Sequence, residues 1–182
     1  FAEVLIAPRN EDGILKVHVV SDRLTPFNAN LSLRLLNFSG ETLWAEEQPT
    51  EIASNASALH FEIPVKALLG SHQANEILLE AKLLEEGREI ASNHFYFAPI
   101  KEIDLPEPEI TLDAGKTEDG FLLDLATDVL AKNVYLSMDG EGFFSDNYFD
   151  MVPGSPKIVR VTGGASDELA NLLKVHHLAD MQ

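Results

Sequence analysis

The stretch Ala74–Gly87, ANEILLEAKLLEEG, decides the fold of this 182-residue chain, because two readings compete for it. Its Leu, Glu, Ala and Lys content favours a helix. Yet Ile77, Leu79, Ala81 and Leu83 alternate with their neighbours, which is the period of a half-buried strand, and the run closes on Glu86-Gly87, a hairpin-type turn signal. The alternation and the flanking turn favour a strand, and the segments on either side agree. ILKVHVV (14–20) places Leu15, Val17 and Val19 on one face, LSLRLL (31–36) does so with Leu31, Leu33 and Leu35, and ALHFEIP (58–64) with Leu59, Phe61 and Ile63. NHFYFAP (93–99) sets Phe95 and Phe97 opposite His94 and Tyr96. Turn signals at Asp12-Gly13, Ser39-Gly40, Ser54-Asn55 and Gly70 separate these runs, and no alternation of strands with helices is visible.

The expected architecture is therefore all-β: two immunoglobulin-like β-sandwich domains in series, over residues 1–98 and 110–182. Pro99, Pro106 and Pro108 stiffen an acidic connector at 99–109 that pairs poorly within a sheet. Beyond it, strands are expected around Ile110–Leu112, Phe121–Thr127, Asn133–Met138, Lys157–Thr162 and Leu172–Leu178.

Charge narrows the function. The formal net charge is −17, with 7 basic and 14 acidic side chains in the first 98 residues and 6 and 16 in the rest, so no basic patch exists to hold a nucleic acid or an anionic lipid surface. No apolar run reaches the roughly 20 residues of a membrane-spanning helix. The absence of cysteine removes disulfides, thiolate nucleophiles and cysteine-ligated zinc, and leaves localisation open. The chain starts at Phe1 without an initiator Met or a signal peptide, which points to a start inside a longer polypeptide.

Motifs for chemistry are sparse. There is no Gly-x-Ser-x-Gly elbow, and Gly163-Gly164 leads into Ala-Ser-Asp rather than the Lys of a phosphate loop. His18, His60, His72 and His94 lack ligand spacing; His176 and His177 are adjacent, so within a strand their side chains leave opposite faces. Asp139, Glu141, Asp146 and Asp150 bring carboxylates near one another, as glycoside hydrolysis requires, but Asp139–Gly142 reads as a solvated connection and lacks the ligand spacing of a calcium loop. Trp44, Tyr96, Tyr135 and Tyr148 are a thin supply for sugar stacking, and Trp44 suits a core or half-buried place. Asn30, Asn37 and Asn55 begin glycosylation sequons. No catalytic, metal or cofactor-binding residue is assigned.

One stretch is specific: FFSDNYFDMVPGSPK, Phe143–Lys157. It resembles the closing motif of the C-terminal β-sandwich of β-mannosidases from the second glycoside hydrolase family. Val17–Trp44 is similar to the immunoglobulin-like sandwich that precedes it there, and Leu173–Met181 to the last strand. The resemblance implies a parent enzyme that is exo-acting and retaining and removes terminal β-linked mannose. It further implies an Asn-Glu acid/base and a Glu nucleophile on an upstream TIM barrel of about 250 residues, longer than this chain. Asn10-Glu11 and Asn75-Glu76 stand outside any βα context, so neither is carried over as catalytic.

The expected partner is that barrel, in the same polypeptide, and β-mannoside is met only through it. Phe143, Phe144, Tyr148 and Phe149 are expected in the core or at its junction with a neighbour, with Asp146 and Asn147 fixing the corner through side-chain to backbone hydrogen bonds. A carbohydrate-binding module, accessory domains of a β-galactosidase or β-glucuronidase of the same family, and an adhesive immunoglobulin-like protein are the alternatives.

Overall fold

The computed structural model describes residues 2–138, 142–163 and 173–181. The chain divides into two compact units, one of Phe1–Asn37 with Glu41–Asp104, the other of Phe38–Gly40 with Leu105–Gln182.

In the first unit, strands β1 (Val4–Glu11), β2 (Ile14–Ser21) and β5 (Ala56–Pro64) form one antiparallel sheet in the order β1-β2-β5. Strands β3 (Phe27–Asn37), β4 (Thr42–Ile52), β6 (Ile77–Glu85) and β7 (Arg88–Tyr96) form the other, in the order β4-β3-β6-β7. Leu15, Val17 and Val19 share one buried core with Leu31, Leu33, Leu35, Ile77, Leu79, Ala81 and Leu83.

The contested stretch is thus a central strand, β6. On a helix, residues two apart lie about 200° round the axis, so its four alternating apolar side chains would have pointed to opposite sides. As a strand it buries all four, at about 1.5–3 kcal/mol for each large side chain, which outweighs propensity differences of at most about 0.7 kcal/mol per residue. The hairpin that follows has Glu86 at φ 50° and Gly87 at φ 79°, and Asp12-Gly13 repeats this with φ 52° and 81°. Paired positive φ values are those of the two-residue turn whose twist matches that of the flanking strands.

Two strands escape the period-two reading. β1 contains Pro8 and β4 contains Pro49, and each is an edge strand, where a missing N–H leaves no ladder partner unsatisfied. One expected face is also corrected. A bulge in β5 pairs Val17 with Phe61 but His18 with Leu59, so His60 is the extra residue. Phe61 and Ile63 stay on the core, whereas Leu59 turns outward and is 43% exposed. A short helix, Val65–Leu69, follows β5 and buries Leu68. After β7, a 3-10 turn at Ile100–Glu102 precedes the buried Ile103, and the Asp104 N–H donates to the Asn75 carbonyl at 3.1 Å.

The second unit repeats the plan with shorter strands. β8 (Ile110–Lys116), β9 (Gly120–Thr127), β11 (Phe143–Phe144) and β13 (Lys157–Thr162) form a sheet in the order β11-β13-β9-β8. β10 (Ala131–Met138), β12 (Phe149–Met151) and β14 (Leu173–His176) form the facing one, in the order β12-β10-β14. Their inner faces bury Leu123, Leu125, Val134, Leu136, Phe149, Met151, Val159 and Val161. Gly120 is required here, since a Cβ would lie 2.0 Å from the Val161 carbonyl oxygen, which the β9–β13 ladder holds in place. The expected all-β pair of sandwiches is what the chain forms. Among the described residues no helix is long and apolar enough to cross a membrane.

Candidate functional site

The corner between β11 and β13 carries the specific motif, and its polar residues hold the backbone. Asn147 Oδ1 accepts from the Leu136 N–H at 2.8 Å, and its Nδ2 donates to the Leu136 carbonyl at 2.9 Å. Both peptide groups of Leu136 on the β12 side of β10 are thereby satisfied by one side chain, where the three-residue β12 has not yet begun. Asp146 Oδ1 accepts from the Asn147 N–H at 2.8 Å, and its other oxygen pairs with Lys157 Nζ. Asp150 accepts from the Asn133 N–H at 2.8 Å and pairs with Lys132 Nζ at 3.0 Å. The expected fixing of the corner by Asp146 and Asn147 is observed. These carboxylates bind backbone and lysine; Asp139 and Glu141 lie outside the described residues.

The aromatic residues of the motif part company. Phe149 is in the core and Phe144 packs partly against it, whereas Phe143 is 78% and Tyr148 68% exposed, so of the two places expected for these rings, core or junction with a neighbour, the core holds only Phe144 and Phe149. Phe143 neighbours the inward Phe144 within β11 and so points to the opposite face, and Tyr148 takes φ 61°, a left-handed conformation outside the strand region.

Outside the core, Tyr148 stacks on Tyr135, which in turn meets His176. Its centroid lies 4.8 Å from that of Tyr135 at an interplanar angle of 23°, and Tyr135 lies 6.1 Å from His176 at 25°. Tyr135 and His176 are directly paired across β10 and β14. Tyr135, Tyr148 and His176 border a recess of about 510 Å³ completed by Asn133, His177 and Leu178. His176 and His177 both border it; β14 ends at His176, so His177 lies outside the strand for which opposite faces were expected. His177 Nε2 lies 3.3 Å from Asp180 Oδ1, and its buried Nδ1 has no hydrogen-bond partner among the described residues.

The remaining candidates are structural in their contacts. Asn10 Oδ1 accepts from the Gly13 N–H, and Glu11 pairs with Lys16 and Arg9; the Lys16 hydrogen bond leads the influences holding its carboxyl below the usual range. Glu76 accepts from Gln73. Trp44 packs partly buried against the first core, tilted on Phe61 at 6.0 Å. Of the sequon residues, Asn30 and Asn55 are exposed, while the Asn37 side chain is engaged with Glu41. Among the described residues no three His, Asp or Glu side chains are arranged to hold a metal ion.

Sequence reading missed a buried charge. Glu80, 2% exposed, sits on one rung with Arg34 of β3 and His94 of β7, each its direct cross-strand neighbour. Arg34 Nε donates to Oε2 at 2.8 Å, and Oε1 faces Lys82 Nζ at 3.1 Å and His94 Nε2 at 3.9 Å. Burial pushes the Glu80 carboxyl up, but His94, Arg34 and Lys82 together overcome it and hold the group at about 2. The signal was present as Glu80-x-Lys82, but the cross-strand partners Arg34 and His94 are brought beside it only by strand pairing.

Comparison with known proteins places both units. Residues 13–102 match the family described as the mannosidase Ig/CBM-like domain, and residues 105–181 match a mannosidase Ig-fold domain. The chain is 28% identical over 157 residues to β-mannosidase B of Thermothelomyces thermophilus, a match that covers 86% of this chain and 17% of that protein. The β-D-mannosidase of Dictyoglomus thermophilum superposes with a TM-score of 0.85 at 23% identity, over 97% of this chain and 22% of that one. The exo-chitosanase of Amycolatopsis orientalis shares the fold at a TM-score of 0.64 and 12% identity, over 94% of this chain and 25% of its own. The chain spans about a fifth of the length of these relatives. It belongs, unit by unit, to the mannosidase Ig/CBM-like and Ig-fold domain families, the tandem of accessory β-sandwiches found in β-mannosidases and related glycoside hydrolases.

Proposed function

We propose that these two sandwiches are the non-catalytic C-terminal domains of an exo-acting, retaining β-mannosidase, and that the catalytic TIM barrel lies elsewhere in the same polypeptide. The observation that carries this reading is the collinear 157-residue match that uses only 17% of a β-mannosidase. In the proposed enzyme the two catalytic carboxylates belong to the barrel, one acting as nucleophile and the other as acid and then base, while the sandwiches brace it and border its pocket. Sugar preference is set in the barrel, because a sandwich fold by itself specifies no substrate.

The test is an immunoblot of the source with an antibody raised against this chain, followed by assay of the immunoprecipitate. A band several times 20.0 kDa that cleaves p-nitrophenyl β-D-mannoside faster than the corresponding galactoside and glucuronide is the expected result. A band near 20 kDa, or a long chain without β-mannosidase activity, overturns the proposal.

A further inference from the structure

We propose that the β2–β3 loop of the first unit, Asp22–Pro26, is a docking knob, and that Leu24 on it seats in an apolar pocket with a basic rim on the catalytic barrel of the same polypeptide. The inference rests on the reading above, in which that barrel precedes the sandwiches.

Strand register places the loop at the end of the unit where the chain enters. Val4, the first residue of β1, pairs with Ser21, the last of β2, and Ser21 pairs in turn with Ala56, the first of β5. Phe27, which opens β3, pairs with Ile52, which closes β4. The entering strand, the β2–β3 loop and the β4–β5 turn therefore share one end, while β7 carries the chain away to the other. The Asp22 N–H donates to the Glu3 carbonyl at 2.9 Å, so polypeptide that precedes Glu3 is delivered directly to this loop.

The loop is fixed in advance. The Arg23 N–H donates to Ser21 Oγ at 3.3 Å, and the Arg23 carbonyl accepts from the Asn55 N–H at 2.9 Å. Arg23 Nη1 donates to both Glu85 oxygens at 3.0 Å, and the guanidinium carbon lies 4.2 Å from the centroid of the Phe27 ring. Pro26 restricts the backbone on the far side of Leu24. Leu24 itself is 88% exposed, the highest value for a large hydrophobic side chain among the described residues.

A lone exposed leucine is ordinary on a protein surface. One displayed on a prearranged backbone loses little conformational freedom on association, which favours a docking contact. Pro26 is exposed as well, and Leu5, near the start of β1, is 53% exposed, so apolar surface at this end is not confined to one side chain. Charge sets the rim of the partner pocket. The exposed carboxylates beside Leu24, on Glu3 and Asp22, outnumber Arg23, which Glu85 already holds, so the complementary surface is basic around an apolar centre.

Hydroxyl-radical footprinting read by mass spectrometry compares the 182-residue chain with the full-length parent polypeptide. In the parent, oxidation of Leu24 and Pro26 should slow several-fold, while Ile14, exposed at the other end of the unit, keeps its rate. Leu24→Asp should leave the urea midpoint of the 182-residue chain unchanged, as read by Trp44 fluorescence. In the parent it should return Pro26 oxidation towards the rate seen in the 182-residue chain.

A parent several times 20.0 kDa in which Leu24 and Pro26 oxidise as fast as in the 182-residue chain overturns the docking knob and leaves the accessory-domain reading standing. Protection at Ile14 instead, or protection of Pro26 that survives Leu24→Asp, also overturns it. So does a shifted urea midpoint, which would give Leu24 its role inside its own unit. A native chain near 20.0 kDa removes the barrel and overturns both readings.

Discussion

Replacing Glu80 with Gln keeps the shape of the side chain and removes the charge that Arg34, Lys82 and His94 share. The carboxyl falls from an ordinary 4.5 to about 2 on folding, and at about 1.4 kcal/mol per pH unit this corresponds to roughly 3 kcal/mol in favour of the ionised form. Partial solvent access to Arg34 lowers that figure. Leaving the Arg34 guanidinium without its carboxylate raises it again, so the expected loss at about pH 7 is 2–4 kcal/mol. For a unit of about 100 residues this lowers Tm by roughly 10–20 °C. Trp44, the sole tryptophan, packs against the first core and reports that unit by fluorescence during urea unfolding.

The pH dependence supplies the sharper test. The folded-state value lies below the unfolded one, so the stabilisation is fully present above about 4.5 and is lost as pH falls towards 2. The difference between wild type and Glu80→Gln should therefore be constant near neutrality and shrink steadily below about pH 4.5. A difference below about 0.5 kcal/mol at pH 7, the range of a neutral surface change, would refute the reasoning, and so would one that does not shrink on acidification.

Other substitutions have clear expectations. Asn147→Ala removes both hydrogen bonds to Leu136 and should cost the second unit about 1–3 kcal/mol in urea denaturation. Gly120→Ala forces a Cβ against the Val161 carbonyl oxygen, and calorimetry should show a loss above about 3 kcal/mol or failure to fold. Leu59→Ser should stay within about 0.5 kcal/mol of wild type, whereas Phe61→Ala, two positions on, should cost about 2–4 kcal/mol; equal effects would contradict the bulge at His60.

Strands whose apolar residues alternate without interruption were legible in the sequence, since one buried face is all that such a pattern encodes. β2, β3, β6, β9 and β13 are of this kind, and in β6 the alternation prevailed over a helix-favouring composition. β1 and β4 were not legible, because Pro8, Pro49 and the charged run Glu46-Glu47 look like breakers unless the strand is known to lie at an edge. The bulge at His60 left no mark either, and it alone moved Leu59 to the solvent side. At the candidate site, the local device was readable: Asp146 and Asn147 act on nearby backbone. The ring contacts were not, since Tyr148 sits at a positive φ that its sequence does not announce, and His176 meets Tyr135 only through the β10–β14 pairing.

Asn147 also has a consequence for how the protein behaves in a crowded solution. β12 is a three-residue edge strand, so the stretch of β10 beside Leu136 would present a free row of peptide groups to any extended segment of another molecule. The carboxamide occupies that N–H and carbonyl from within the same chain. A side chain, unlike a strand, carries no second row of donors and acceptors on its far side, so intermolecular β-pairing has no template to extend there.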